Sequence, residues 1–336
     1  MPRPNRPQID LRASVTNVMR GGIPLRAAER LQEEAGDNRR LFTSDLSVSE
    51  FLLTKQARCE PISQVMGSSI FHVGQIPDYK GKTSEITVLS NAHRLARQMA
   101  LRRLSQEAAL VGADAVVGVH LRERMITMGA RGKGGDDGGE VLEFTVVGTA
   151  VKAPWITHKP GEPILTDLSG QDLWTLEQDG FEPCGFLFEF CRYHVWHVTK
   201  NVSATGSVEL EQASAAVESA RRIAADKLLA QAAAVGAEYV IGSDIEIKVR
   251  EVPCGYGGCP LDDLDVDVSW FGTGVRRIPN ERAHQHSTPP LLLSMMPLGR
   301  RNDAKIDGED DASDIEIAAE EAEEAALERD EAAGEG

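Results

Sequence analysis

One stretch of helix, glycine turn and strand occurs twice in this chain, and that duplication limits the possible folds more than any other feature. RQMALRRLSQEAALVGADAVVGVHLRER (Arg97–Arg124) is matched by RRIAADKLLAQAAAVGAEYVIGSDIEIK (Arg221–Lys248), 124 residues on. The same offset carries EFTVVGTAVK (Glu143–Lys152) onto DVSWFGTGVR (Asp267–Arg276). Upstream, DLSVSEFLLTKQARCEP (Asp45–Pro61) falls on DLSGQDLWTLEQDGFEP (Asp167–Pro183) at an offset of 122, as does His72 on His194. Fixed spacing over so long a run marks a tandem duplication, so one supersecondary unit must be able to fold twice and to live beside its copy.

The unit reads from its periodicities. Ser47 with Glu50, and Ser169 with Asp172, are capping-box patterns that open a short helix in each repeat. Each of these helices runs to Glu-Pro (Glu60-Pro61, Glu182-Pro183), where proline is expected to stop it. Apolar strands follow over Ile62–Val73 and Cys184–Val198, then a polar connection and a long helix. Leu95, Met99, Ala108 and Val111 mark its apolar face in the first repeat. Gly112 and Gly236 stand where a left-handed C′ cap is needed, a conformation only glycine takes cheaply. Alternating strands joined as a hairpin complete a β-α-β-β unit. Within those strands Gly118, Gly242, Gly148 and Gly272 imply close backbone approach.

The predicted organisation is a largely disordered N-terminus (1–44) with one short helix from Pro24, domain one (45–153), a linker (154–166), domain two (167–278), a second linker (279–302) and a disordered acidic tail (303–336). The net charge of −16 is concentrated in that tail: Asp303 to Glu335 holds 15 acidic residues against Lys305 and Arg329, leaving about −3 elsewhere. A nearly neutral body without a basic stripe offers nucleic acid no footing. No apolar run approaches the roughly 20 residues of a membrane span. MPRPNRPQIDL lacks a signal-peptide core, and five irregularly spaced cysteines do not make a disulfide framework. A cytoplasmic location with reduced thiols is the expectation.

Few residues suggest chemistry. Cys254 and Cys259, in the glycine-rich CGYGGC hairpin, could hold a divalent soft metal ion such as zinc, though a closed site needs four ligands. His194 and His197 could contribute, with Cys184 or Cys191, but three positions apart on a strand they would face opposite ways. Asp114 and Glu238 follow the glycine caps and are read as bonding turn amides. Gly132-Lys133-Gly134 fails the phosphate-loop pattern, and no Ser-His-Asp or Cys-His order is readable.

GADAVVGV followed by EFTVVGTAVK, behind a capped helix, resembles the YbjQ-like family, whose domain carries a heavy-metal-binding label. The likeness covers Asp45–Lys152 and, more weakly, Asp167–Arg277, where Glu238, Ser243, Trp270 and Gly274 depart from the pattern. The tandem form, with SDLSVSEFLL and VMGSSIFHVG, resembles actinobacterial-type double-domain members. The resemblance implies an α+β fold of two tandem dodecin-like domains. Each would be a three-stranded antiparallel sheet, third strand central, crossed by one long helix. It also implies assembly, since single-domain relatives form pentameric rings. The expectation is therefore a non-enzymatic homo-oligomer joined through strand edges and helices, with a ring as one form of it and residues 289–298 or the tail open to a protein partner. A metal-binding or metal-sensing protein and a small-ligand binder at domain interfaces are the alternatives.

Overall fold

A computed structural model describes residues 10–35, 43–44, 46–73, 81–127, 140–198, 209–253 and 262–278. The second linker from 279 and the acidic tail, including residues 289–298, lie outside them, as do Cys254 and Cys259. The fold is α+β, with six helices and two sheets among the described residues. The first repeat contributes α3 (Val48–Gln56), β1 (Glu60–Val73), β2 (Ser84–Glu85), α4 (Thr87–Leu110), β3 (Ala115–Thr127) and β4 (Glu140–Lys152). The second contributes β5 (Ile164–Leu165), α5 (Gly170–Gln178), β6 (Phe181–Val195), α6 (Glu211–Ala234), β7 (Tyr239–Pro253) and β8 (Asp262–Arg277).

Both capping boxes form, with Ser47 and Ser169 each exchanging hydrogen bonds with the residue three positions on. Proline does not end these helices. Arg58 (φ 56) and Gly180 (φ 74) turn the chain out of them, and Pro61 and Pro183 sit inside β1 and β6 beside a bulge. A bulge leaves a backbone position unpaired, so a residue without an N–H costs the ladder nothing there.

The N-terminus departs from the expected single helix. Two helices form, α1 (Leu11–Met19), capped by Asp10, and α2 (Leu25–Ala35). They dock because Ile23 and Leu31 enter the core beside Leu104, while Arg103 on α4 donates to the Val18 carbonyl. Two anchoring residues offset the ordering cost of an otherwise polar segment.

Each sheet has four strands rather than three, in the orders β1-β4-β3-β5 and β2-β6-β8-β7. Three in each come from one repeat, antiparallel, with its third strand central. The fourth is a two-residue strand lent by the other repeat. β2 pairs antiparallel with β6 (Ser84 opposite His194, Glu85 opposite Tyr193). β5, from the connection read as a plain linker, pairs parallel with β3 (Ala115 opposite Ile164).

In layers, α4 lies on the first sheet over β1 and β4, and its flank meets the far face of the second sheet. Strand alternation sorts the faces of β6: Leu187 and Cys191 pack on α6, while Phe188 and Phe190 turn towards α4. Gly67 sets the closeness of α4 to β1, since a Cβ there would lie 2.0 Å from the Ala100 carbonyl oxygen and 2.6 Å from the Leu104 nitrogen. The position matching Gly67 in β6 is Glu189, held by Gln231 of α6. A second core, built on Ala57, Val117, Val151, Leu168 and Leu173, joins α3, α5 and the end of the first sheet.

Candidate functional site: the junction between the repeats

A cluster of polar and aromatic groups lies where α4 meets β6. His93 stacks on Phe190 with ring centroids 3.8 Å apart and meets the edge of Phe144 at 6.0 Å. One turn on, the Arg97 guanidinium lies against the Phe188 ring and beneath Phe144. Glu123, on β3, receives both: Arg97 Nη2 at 2.5 Å and His93 Nδ1 at 3.0 Å. Four elements, α4, β3, β4 and β6, thus converge because residues 93 and 97 share one face of α4 and Glu123 lies opposite Phe144 in the sheet.

The electrostatics follow from burial. Loss of water holds His93 below the usual imidazole range, so the ring is neutral near pH 7. Burial also lowers Arg97, to about 10, against the pull of Glu123. For Glu123 burial pushes upward, but the Arg97 charge together with the His93 and Arg97 hydrogen bonds outweighs it and brings the carboxyl down to about 2. The pair is ionised and fixed. A group locked so far from neutrality is poorly suited to proton transfer near pH 7; its geometry suits it to aligning one repeat on the other.

A second network crosses the same face. Arg192 forks onto Asp267 (2.7 and 2.9 Å), which also takes Arg250 at 2.8 Å. His194 has Nδ1 at 2.8 Å from Asp265 and Nε2 at 3.5 Å from Asp263. His197 lies beyond the strand, which ends at Val195. Its backbone turns left-handed (φ 54), its ring stacks on Trp196 at 3.9 Å, and its N–H donates to Asp263. The strand was expected to run to Val198; it stops earlier, so the relation between the two imidazoles is set by this turn.

For a heavy metal the placements matter individually. The His194 ring nitrogens already face carboxylates, and among the described residues no group of three or more His, Cys, Asp or Glu is arranged to hold an ion. Cys191 packs on the α6 side of β6, opposite His194, and Cys184 lies ten strand positions away, roughly 30 Å. Neither joins the imidazole. Burial pushes the Cys191 thiol to about 12 and raises that of Cys184, keeping thiolate scarce.

The glycines divide by role. Gly112 and Gly236 stand at φ 71 and 72, just past α4 and α6. Gly118 and Gly242 (φ 61 and 60) occupy matching bulges in β3 and β7. Gly148 and Gly272 leave room for a neighbouring strand: a Cβ on the first would lie 2.7 Å from Val116 and on the second 3.1 Å from the Ile241 oxygen. Asp114 accepts from the Ala153 amide and meets Lys152, while Glu238 accepts from the Arg277 amide. They tie strand beginnings to strand ends.

Sequence reasoning passed over His93, Arg97, Glu123 and the paired phenylalanines. A signal was present, since His93 and Glu123 are matched in the second repeat by Val217 and Ile247. A charged cluster in only one of two copies marks a surface used differently by each.

The YbjQ family model, described as "Putative heavy-metal-binding", matches residues 74–154, the stretch that holds β2, α4, β3 and β4. The chain is 36% identical over 276 residues to the encapsulin nanocompartment protein Rv1762c of Mycobacterium tuberculosis, covering 80% of this chain and 96% of that one. No solved structure matches significantly. Among the described residues no helix is long and apolar enough to cross a membrane. On the family model and on homology over nearly the whole of the mycobacterial protein, the chain belongs to the YbjQ family.

Proposed function

We propose that this protein is a non-catalytic, self-assembling component of an encapsulin nanocompartment system. The observation that carries the reading is the aliphatic surface a single chain leaves in water. Ile245, Ile247 and Val249 form a stripe along β7, and Met66 and Ile70 form a patch on β1. Strand faces of this kind are ordinarily covered. The name of the mycobacterial relative adds the compartment. Light scattering on the full chain at micromolar concentration should give a multiple of 36.5 kDa. A tagged chain isolated from its own host should co-elute with shell particles. A monomeric chain that never accompanies a shell would overturn the proposal.

The family's heavy-metal description supports a second reading. With His194 occupied and Cys184 and Cys191 buried, it rests on Cys254 and Cys259. Zinc uptake lost in Cys254→Ser/Cys259→Ser and retained in His194→Asn would establish it; equal uptake by all three proteins, or none, would remove it.

A further inference from the structure

The two repeats are joined by a reciprocal exchange, and each half of that joint has an unused counterpart elsewhere in the chain. In the joint, the segment before α4 adds to the β6 edge: Ser84 and Glu85 pair with His194 and Tyr193, and the Ile86 amide donates to the Arg192 carbonyl at 2.8 Å. In return, the segment leading the second repeat adds to the β3 edge. Ile164 and Thr166 donate to Asp114 and Val116, and Gly118 and Val119 donate to Leu168 and Thr166. Every participant has an equivalent at the duplication offset. Glu209 and Leu210 match Glu85 and Ile86, and β1 matches β6. β7 matches β3, and Ser44 and Leu46 match Thr166 and Leu168.

Among the described residues these equivalents are unpaired with each other, and two strand edges, of β1 and of β7, stand at the ends of the sheets. The side chains record the difference. Ile86 is 4% exposed inside the joint, while its match Leu210 is 37% exposed. On the receiving face, Phe188 and Arg192 are covered by α4, while their matches Met66 and Ile70 are not, Ile70 being 73% exposed. On the inserting face, Glu123 faces Arg97 and His93 of α4, while its match Ile247 is aliphatic and 43% exposed. Between α6 and β7 lies a hollow of about 310 Å³ lined by Glu218, Arg221, Arg222, Ala225, Ile245 and Trp270. Trp270 Nε1 is buried there without a hydrogen-bond partner.

We infer that a second copy of this chain repeats the internal joint head to tail. The α6–β7 surface of one copy docks on the β1 face of the next, with Glu209 and Leu210 extending its β1 edge. The β7 edge of the first copy in turn receives the segment around Ser44 of the second. Superposing the internal joint places Met66 where Phe188 stands, at the hollow beside Arg221. Of the charged cluster, Arg221 keeps the place of Arg97, paired with Glu218 at 3.1 Å, while Ile247 and Val217 stand for Glu123 and His93 opposite Met66, Ser68 and Ile70, a more apolar contact that favours association through burial. Because the two surfaces differ, the contact is heterologous and propagates until it closes on itself.

The inference rests on the self-assembly reading and specifies its interface. Ile70→Lys disables the receiving face and Ile247→Lys the inserting face, both at exposed positions that should leave the thermal midpoint of the fold unchanged. Each full-length variant alone should be monomeric by light scattering. Mixed one to one, they should give a two-chain species and nothing larger, because the mixture holds one intact joint. Assemblies of wild-type size from either variant would overturn the joint while leaving self-assembly standing, and would mean that residues 286–336 or another partner covers the stripe. Two variants that stay monomeric when mixed would also overturn it. A monomeric wild type would overturn both readings.

Discussion

Exchanging Arg97 and Glu123 for apolar residues, singly and together, tests whether the buried pair stabilises the fold or fixes the alignment of the repeats. The drop of the Glu123 carboxyl from 4.5 to about 2 corresponds to about 3 kcal/mol favouring the folded, ionised form. The fall of Arg97 from 12.5 to about 10 is a penalty of similar size, because burial removes more than Glu123 returns. The two shifts pull in opposite directions on one contact, so together they come out near zero, as expected of a buried ion pair. Glu123→Leu should therefore cost about 3–5 kcal/mol by leaving Arg97 buried and unpaired. Arg97→Met should cost about 3 kcal/mol, and the double variant should return to within about 1 kcal/mol of wild type. Urea unfolding at fixed protein concentration reads all four proteins. Acid adds a check of sign. Glu123 is lowered in the fold, so its contribution is present above 4.5 and lost as pH falls towards about 2. His93 is lowered as well, so its share is lost as pH falls below 6.5. Glu123→Gln should lack the lower of these losses. Additive single effects, or an unchanged acid profile in Glu123→Gln, would refute the argument.

Gly67→Ala should destabilise the first repeat by about 3 kcal/mol or more in thermal unfolding, since the added carbon meets helix backbone that cannot yield. Gly112→Val should cost at least about 1 kcal/mol in the same assay; nothing lies within 4 Å, so the whole cost is positive φ. Cys59, Cys184 and Cys191 should resist a thiol reagent at pH 7 and react fully in denaturant, because burial raises all three and holds Cys59 and Cys191 at about 12. Labelling of Cys191 at a free-thiol rate in the native protein would contradict that.

The repeated units and the capped short helices were legible because each has a local signature of period, cap or turn; the central third strand was implied by the family resemblance alone. The exchanged strands were not. Ser84-Glu85 and Ile164-Leu165 are two residues long, too short for any periodicity, and their partners lie about 110 and 50 positions away. Pro61 misled because an X-Pro pair reads as a helix stop, whereas Arg58 had already turned the chain. The docking of α1 and α2 turned on Ile23 and Leu31, two apolar residues in a polar stretch, and on the bond from Arg103 to the Val18 carbonyl. As for the site, the histidines were visible as residue types. Their meaning was not, because His194 is defined by Asp263 and Asp265, about 70 positions on. The paired phenylalanines read as ordinary strand residues until α4 was seen to cover them.

The placement of Arg97 and Glu123 also has a bearing on synthesis. Phe190, which stacks on His93 and closes over this cluster, leaves the ribosome 93 residues after Arg97. At about 5–20 residues per second that is a wait of roughly 5–20 s. During it the first repeat shows water a flank of arginine, glutamate and histidine, which water tolerates. The second repeat carries isoleucine and valine on the equivalent strand, but that surface appears only when the core is nearly complete. The nascent chain thus shows water the short Met66 and Ile70 patch of β1 early and withholds the longer β7 stripe until last, so an isolated second repeat should aggregate more readily than a stalled chain ending soon after Lys152.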